Sequence, residues 1–335
     1  MAEEMQRNLA LELARVTEAA AMAAVRWMGR GDKNASDQAA VDAMRNMLDR
    51  IDMDGVVVIG EGEKDEAPML YVGEELGTGR PPRVDIAVDP IDGTRLLSLG
   101  MPGAIAVLAL AARGSMYSAP PGVYYMSKIA VGRRAKGAID ITASVAKNIS
   151  SVSRALGRDE GDITVMVLDR PRHEQLIKDI RATGARVRII PDGDVAGAIT
   201  AAEEGTGVDM LMGSGGAPEA VIAACALKAL SGEMQCKLFF RDDGERRNAE
   251  ASGVNVNEIF MLDDLVKSDD VFFAATGITN GELLEGVRYT TGLATTQSVV
   301  MRSKSGTIRY IKTLHRRDQL SRVDGQGSSE NKGWG

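Results

Sequence analysis

Val165-Met166-Val167-Leu168-Asp169-Arg170-Pro171-Arg172-His173 is an apolar run that ends in a charged, proline-centred turn. The chain beyond it repeats that rhythm. A helix is predicted over His173–Thr183, a strand over Arg186–Ile190, a helix over Val195–Glu203, a strand over Met210–Met212 and a helix over Ala217–Leu230. Strands alternating with helices imply a parallel sheet covered by helices. Ligands of such sheets bind beyond the carboxyl ends of the strands. Three successive strand ends here carry charged or glycine-rich turns: Asp169 to His173, Asp192-Gly193-Asp194, and Gly213 to Glu219.

Upstream, Val84 to Val88 is a short apolar run that ends in Asp89-Pro90-Ile91-Asp92-Gly93-Thr94. A turn of this kind at a strand end can aim Asp89, Asp92 and a backbone carbonyl at one point, which is what a hard divalent cation requires. The Thr94 hydroxyl then lies beside any water on that cation. An ordinary polar turn, with Asp and Gly serving backbone geometry, is the competing reading. A second acidic strand end tips the balance, because Val56 to Ile59 runs into Gly60-Glu61-Gly62-Glu63. Strands are also predicted at Ala104–Ala109, Val271–Ala275, Thr296–Met301 and Thr307–Leu314. Leu9, Leu13, Val16, Ala20, Ala23 and Trp27 form the apolar stripe of a first helix. A second helix is predicted near Ser36, with Asp37 in its first turn. The polar segment Asp242–Asn257 has no clear element.

At 335 residues, about two domains are expected. The expectation is an N-terminal metal-binding α+β domain over 1–155, a C-terminal parallel α/β substrate domain over 156–317, and a disordered tail over 318–335. Aromatic residues make up 4%, so the core is built from aliphatic side chains and 17 Met. The net charge is −7, with no basic stripe, which speaks against nucleic acid as a partner. No apolar stretch approaches the ~20 residues of a membrane span. There is no basic segment followed by an apolar run at the start, and a cytoplasmic location is expected. Cys225 and Cys236 fit a reducing compartment, and two histidines, His173 and His315, are too few for a His-based zinc site or a conventional triad.

The acidic set is Asp37, Glu61, Asp65, Asp89, Asp92 and Glu219. If several converge, cations must offset their repulsion or some must stay protonated. Oxygen-only ligands favour Mg²⁺ or Mn²⁺ over zinc. Glu74 and Glu75 read as surface charge. In the basic set, Arg170 and Arg172 flank Pro171 and can hold a phosphate. Lys33 stands in the polar loop Gly29 to Asn34, and Arg186 and Arg188 read as a solvated strand face.

These stretches resemble class II fructose-1,6-bisphosphatases, of the lithium-sensitive, metal-dependent phosphatase superfamily. The resemblance rests on Arg15-Val16-Thr17-Glu18, Gly29 to Lys33, Val58 to Glu63 with Asp65 to Met69, Asp89 to Thr94, Arg170 to His173, Pro191 to Asp194, Gly213 to Glu219 and Ala275 to Thr279. It runs from about residue 6 to residue 315. It implies a layered α-β-α-β-α sugar-phosphatase fold. It also implies metal-dependent hydrolysis of the 1-phosphate of fructose 1,6-bisphosphate, as in gluconeogenesis or Calvin-type metabolism, and for some relatives also of sedoheptulose 1,7-bisphosphate. Carried over by position, Asp37, Glu61, Asp89, Asp92 and Glu219 are metal ligands, and Thr94, Asp65 and Lys33 are catalytic. Asp92, Gly93, Thr94, Tyr125, Arg170, Arg172, Asp192, Asp194 and Gly216 contact substrate, with Tyr124 the alternative to Tyr125. A homodimer or tetramer is implied. Asp92 stands where the family usually has Glu, Ala220 where it usually has Gly, and Ala119 to Met126 is longer than the family loop. Those departures keep two alternatives open: an inositol-phosphate or nucleotide phosphatase of the same superfamily, or a non-catalytic phosphosugar-binding protein.

Overall fold

The computed structural model describes residues 5, 8–60, 70–120 and 122–316. Glu61, Asp65, Pro121 and the tail 318–335 therefore lie outside the described residues. In chain order the strands are β1 (Asp54–Ile59), β2 (Glu75–Leu76), β3 (Arg83–Asp92), β4 (Ile105–Ala112), β5 (Tyr125–Val131), β6 (Thr164–Leu168), β7 (Arg186–Ile190), β8 (Met210–Gly216), β9 (Glu233–Phe239), β10 (Ile259–Met261), β11 (Val271–Gly277), β12 (Arg288–Thr290), β13 (Leu293–Arg302) and β14 (Thr307–Arg316). The helices are α1 (Leu9–Ala24), α2 (Lys33–Leu48), α3 (Thr94–Ser98), α4 (Val145–Leu156), α5 (Glu174–Ala182), α6 (Asp194–Ala202), α7 (Ala217–Leu230), α8 (Asp243–Ala251) and α9 (Leu262–Leu265).

Two sheets result. The first runs β12-β13-β11-β4-β3-β1-β2, with β14 also on β13, and the second runs β10-β9-β5-β8-β6-β7. Strands buried on both faces show how the layers stack. In β4, Ile105, Val107, Ala109 and Ala111 belong to one apolar cluster, while Ala106, Leu108 and Leu110 belong to another. The first cluster also holds α6, α7 and the inner faces of β5 and β9, and the second holds α1 and α2. On the far face of the second sheet, Ile129, Val131, Val165 and Val167 pack on Ile149, Val152 and Ile180 of α4 and α5. The period-2 side-chain alternation of strands thus yields five layers, α-β-α-β-α, as the resemblance implies. The middle helix α7 is apolar nearly all round because a sheet covers it on each side.

Two expectations change. The alternating segment gives parallel pairing for β7-β6-β8, but β5 and β9 add to it antiparallel, so the second sheet is mixed. The sheets are also not consecutive halves of the chain. β5 joins the second sheet, and β11 to β14 return to the first, so a division at residue 155 does not coincide with them.

Candidate active site

The Asp89–Thr94 turn is the end of β3, and its geometry is set by a register shift. Asp89 pairs with Val107 of β4 and Asp92 with Ile105, three residues on one strand against two on the other. In a regular strand, residues three apart point to opposite faces. The extra residue restores the parity, as a β-bulge does, and puts Asp89 and Asp92 on the same face. Gly93 then adopts φ 95°, a left-handed conformation that glycine tolerates, and starts α3. Thr94 Oγ1 lies 3.3 Å from Asp37 Oδ1 and 3.1 Å from the Ile91 carbonyl. Asp37 is not a first-turn acid, since α2 begins at Lys33 with Asp32 as its cap. Burial raises its pKa, against the hydrogen bond from Thr94 and the nearby charge of Lys33. One oxygen of Asp89 accepts from the Ile91 amide at 2.9 Å.

Asp92 is buried and faces the second sheet's side of the site, where it accepts from the Ala196 amide in the first turn of α6 at 3.3 Å. Asp194 opens the same helix after Gly193, which has φ 84°. Burial, then the charges of Asp194 and Glu219, push the Asp92 carboxyl well above the usual carboxylate range. Glu219, in the first turn of α7, is pushed up first by burial and next by Asp194, with Lys128 opposing. Lys128 of β5 is buried beneath them and makes an ion pair with Asp194.

Gly213 to Gly216 is not a loop. It is the end of β8, paired residue by residue with β5, so that Gly216 faces Tyr125 and Gly215 faces Met126. A side chain at either position would have to displace a carboxylate. A Cβ on Gly215 would stand 2.1 Å from Asp194 Oδ2, and one on Gly216 would stand 1.8 Å from Glu219 Oε2.

The arginines form the other side. Arg170 Nη2 donates to Asp192 Oδ1 at 2.9 Å, and Nη1 donates to the Pro191 carbonyl at 2.6 Å. Arg172 donates to Ser214 Oγ at 2.7 Å and to its carbonyl at 2.8 Å, and stacks over Tyr125 at 5.5 Å. His173 fixes Ser214 in turn. Its Nδ1 donates to the Leu168 carbonyl at 2.8 Å, and Nε2 accepts from the Ser214 amide at 2.8 Å. Burial lowers the Arg172 pKa, and the neighbouring charge of Arg170 adds to this. Between the two sides is a cavity of about 340 Å³ lined by Tyr125, Arg170, Arg172, Asp192, Asp194 and Glu219, among others.

The structure thus groups Asp37 with Thr94 and Lys33, groups Asp92 with Asp194 and Glu219, and groups Arg170, Arg172, Tyr125 and Asp192 around one cavity. Lys128, Ser214 and the structural role of His173 escape the sequence reading, although a lysine inside Tyr125-Met126-Ser127-Lys128-Ile129-Ala130-Val131 is a usable signal of a buried charge. Glu74 is not surface charge: it is buried and binds Arg45 Nε at 2.7 Å. Arg186 pairs with Asp162 at 2.7 Å and Arg188 with Glu282, so neither is in the arginine group at the cavity.

The donor chemistry suits a hard cation, because Glu219 Oε2 is buried without a hydrogen-bond partner. Among the described residues, no three His, Cys, Asp or Glu side chains converge closely enough to hold an ion by themselves.

No helix among the described residues is long and apolar enough to cross a membrane. Comparison with known proteins agrees with the fold. The chain is 48% identical over 332 residues to the class 2 fructose-1,6-bisphosphatase of Haemophilus influenzae, covering 95% of this chain and 99% of that one. It is 47% identical over 328 residues to the fructose-1,6-bisphosphatase 1 class 2 of Escherichia coli K12, covering 94% and 97%. A family model described as bacterial fructose-1,6-bisphosphatase, glpX-encoded, matches residues 7–315, and with these relatives it establishes that the chain belongs to that family.

Proposed function

We propose that this chain hydrolyses the 1-phosphate of fructose 1,6-bisphosphate, giving fructose 6-phosphate and phosphate, with a divalent cation as cofactor. The observation that carries the reading is the polarity of the cavity, with arginines on one wall and buried carboxylates on the other. A substrate with phosphates at both ends needs two different anion sites. One is made of protein cations, and the other needs a metal to make carboxylates acceptable to phosphate. Arg170 and Arg172 bind the far phosphate. Asp192 and Asp194 accept hydrogen bonds from sugar hydroxyls, and Gly216 leaves room for the ligand beside Tyr125.

At the reacting end, Asp37, Asp89, Asp92 and Glu219, with Glu61 outside the described residues, would hold Mg²⁺ or Mn²⁺. When bound, the cation supplies charge neutralisation at the phosphoryl group and a more acidic water. The chain's own contribution is orientation. Thr94, anchored at Asp37 and the Ile91 carbonyl, would orient the attacking water. Lys33 brings positive charge toward the transferred phosphate, and Asp65 is the acid expected to take or give the proton. The shorter Asp92 is anchored at the α6 N-terminus, a position that favours negative charge. The reading extends to sedoheptulose 1,7-bisphosphate as a second substrate, a cytoplasmic location and a homodimer or tetramer.

The test is phosphate release from fructose 1,6-bisphosphate with Mg²⁺ or Mn²⁺, beside a no-metal control and Asp89→Ala. Release that needs both the metal and Asp89, with a loss of about 100-fold or more in the variant, is the expected result. No release from the folded protein under either metal would overturn the reading in favour of another phosphate ester.

A further inference from the structure

We propose that Arg241, on the loop between β9 and α8, is a third phosphate-binding residue of this cavity, held at its rim by Glu245. The inference rests on the sugar-bisphosphate reading above, and nothing in the family resemblance points to this residue. Its placement is a consequence of sheet register. Tyr125 pairs with Phe239, the last residue of β9, so the loop that begins at Phe240 rises directly beside Tyr125. Arg241 is the second residue of that loop.

From there its guanidinium lies 5.9 Å from the ring centre of Tyr124 and 5.7 Å from that of Tyr125. Arg172 approaches the Tyr125 ring at 5.5 Å. One ring is therefore shared by two guanidinium groups, that of Arg172, which lines the cavity, and that of Arg241. Tyr124 and Tyr125 both line the cavity that holds Arg170 and Arg172. The loop before them is the stretch that departs from the family pattern in length, and Tyr124 is 57% exposed, with Arg241 stacked on it.

The tether is local. Asp242 caps α8 by accepting from the Glu245 amide at 2.9 Å, and Glu245 reaches back to the Arg241 amide at 2.8 Å and to Nε at 2.6 Å. Nη1 has no hydrogen-bond partner among the described residues. An exposed ion pair of this kind contributes little, so exchanging Glu245 for a phosphate dianion is inexpensive. Arg172 and Arg241 both lie within 6 Å of the Tyr125 ring centre, so Arg241 can swing from Glu245 toward a phosphate held by Arg172, and charge-assisted bonds to phosphate are among the strongest a side chain makes.

Fructose 6-phosphate carries only the far phosphate, so its binding can be measured by calorimetry without turnover. The expected result is that Arg241→Gln weakens fructose 6-phosphate about tenfold and raises KM for fructose 1,6-bisphosphate similarly, with kcat within about twofold. KM for fructose 1-phosphate, which lacks the far group, should stay unchanged, and Arg241→Lys should restore part of the affinity. Equal affinity of wild type and Arg241→Gln for fructose 6-phosphate would overturn the proposal. So would an equal KM rise on both substrates, which indicates a structural role. If wild type releases phosphate from fructose 1,6-bisphosphate while either of these is observed, the assignment of Arg241 falls and the proposed function stands.

Discussion

The two walls of the cavity solve opposite problems. On the arginine wall, each side chain already has a place: Arg170 on Asp192, Arg172 on Ser214, and Ser214 on His173. On the carboxylate wall, Asp92, Asp194 and Glu219 crowd one buried space, with Lys128 as the cation pressed against them and one oxygen left without a partner. The first wall is preorganised in the bare protein. The second gathers carboxylates whose charged forms burial and mutual repulsion disfavour, and the surrounding layers hold them there. Loss of an arginine from the first wall should therefore weaken binding, while loss of the lysine from the second should weaken the fold itself.

The largest effect is expected at Lys128. Both members of its pair with Asp194 are buried. Lys128→Met should cost about 3–5 kcal/mol in urea unfolding, and Lys128→Met with Asp194→Asn should cost less than the sum of the two single changes. An additive result would mean that Lys128 does not serve as the counter-charge. Arg172→Ala sharpens the contrast from the other side. KM for the bisphosphate should rise about 10- to 100-fold, with a far smaller loss of stability. If its affinity and rate are those of wild type, the far phosphate is not held there.

A smaller effect is expected from pH. Burial lowers the His173 pKa below the ordinary 6.5, so the folded protein keeps the ring neutral where the unfolded chain takes up a proton. Stability from this group is thus full above pH 6.5 and is lost as pH falls from there toward the folded value. Asp37, Asp92 and Glu219 act in the opposite sense, because their folded pKa values are raised. The difference in Tm between wild type and His173→Gln across this range isolates the histidine, each tenfold change in proton affinity being worth about 1.4 kcal/mol. A difference that does not vary with pH would refute the lowered pKa of His173. The smallest effect is on the thiols. Burial pushes Cys225 and Cys236 up to about 12, so neither should be alkylated in the native protein at pH 8. Labelling at the rate of a free thiol would show that the layers open.

Much of this arrangement is legible in the chain. Strand β7 and helix α7 fall where their apolar runs predict, because each run is bounded by turn residues or prolines. Asp89, Asp92, Arg170 and Arg172 can be found because they stand at strand ends. Strand β5 escapes notice because Ser127 and Lys128 break its apolar pattern, and only the partner Asp194, 66 residues away, explains a lysine there. Helix α8 escapes because it is polar and buries little beyond Ala249. Glu74 reads as surface charge because its partner Arg45 is 29 residues away on another element. Gly215 and Gly216 read as turn residues, yet what they provide is space inside a strand. For β5, Glu74 and Gly215 the deciding contact is long-range, and local pattern carries no trace of it.

The interleaving of the sheets has a consequence for how the protein is made. β4 is apolar and buried on both faces, and its neighbour across the sheet is β11, which begins at Val271. On a ribosome, β4 emerges about 160 residues before that partner and waits as an open edge. Until the last fifth of the chain arrives, that edge has no partner within the sheet, and an unpaired apolar edge is where a growing chain is most exposed to pairing with another molecule.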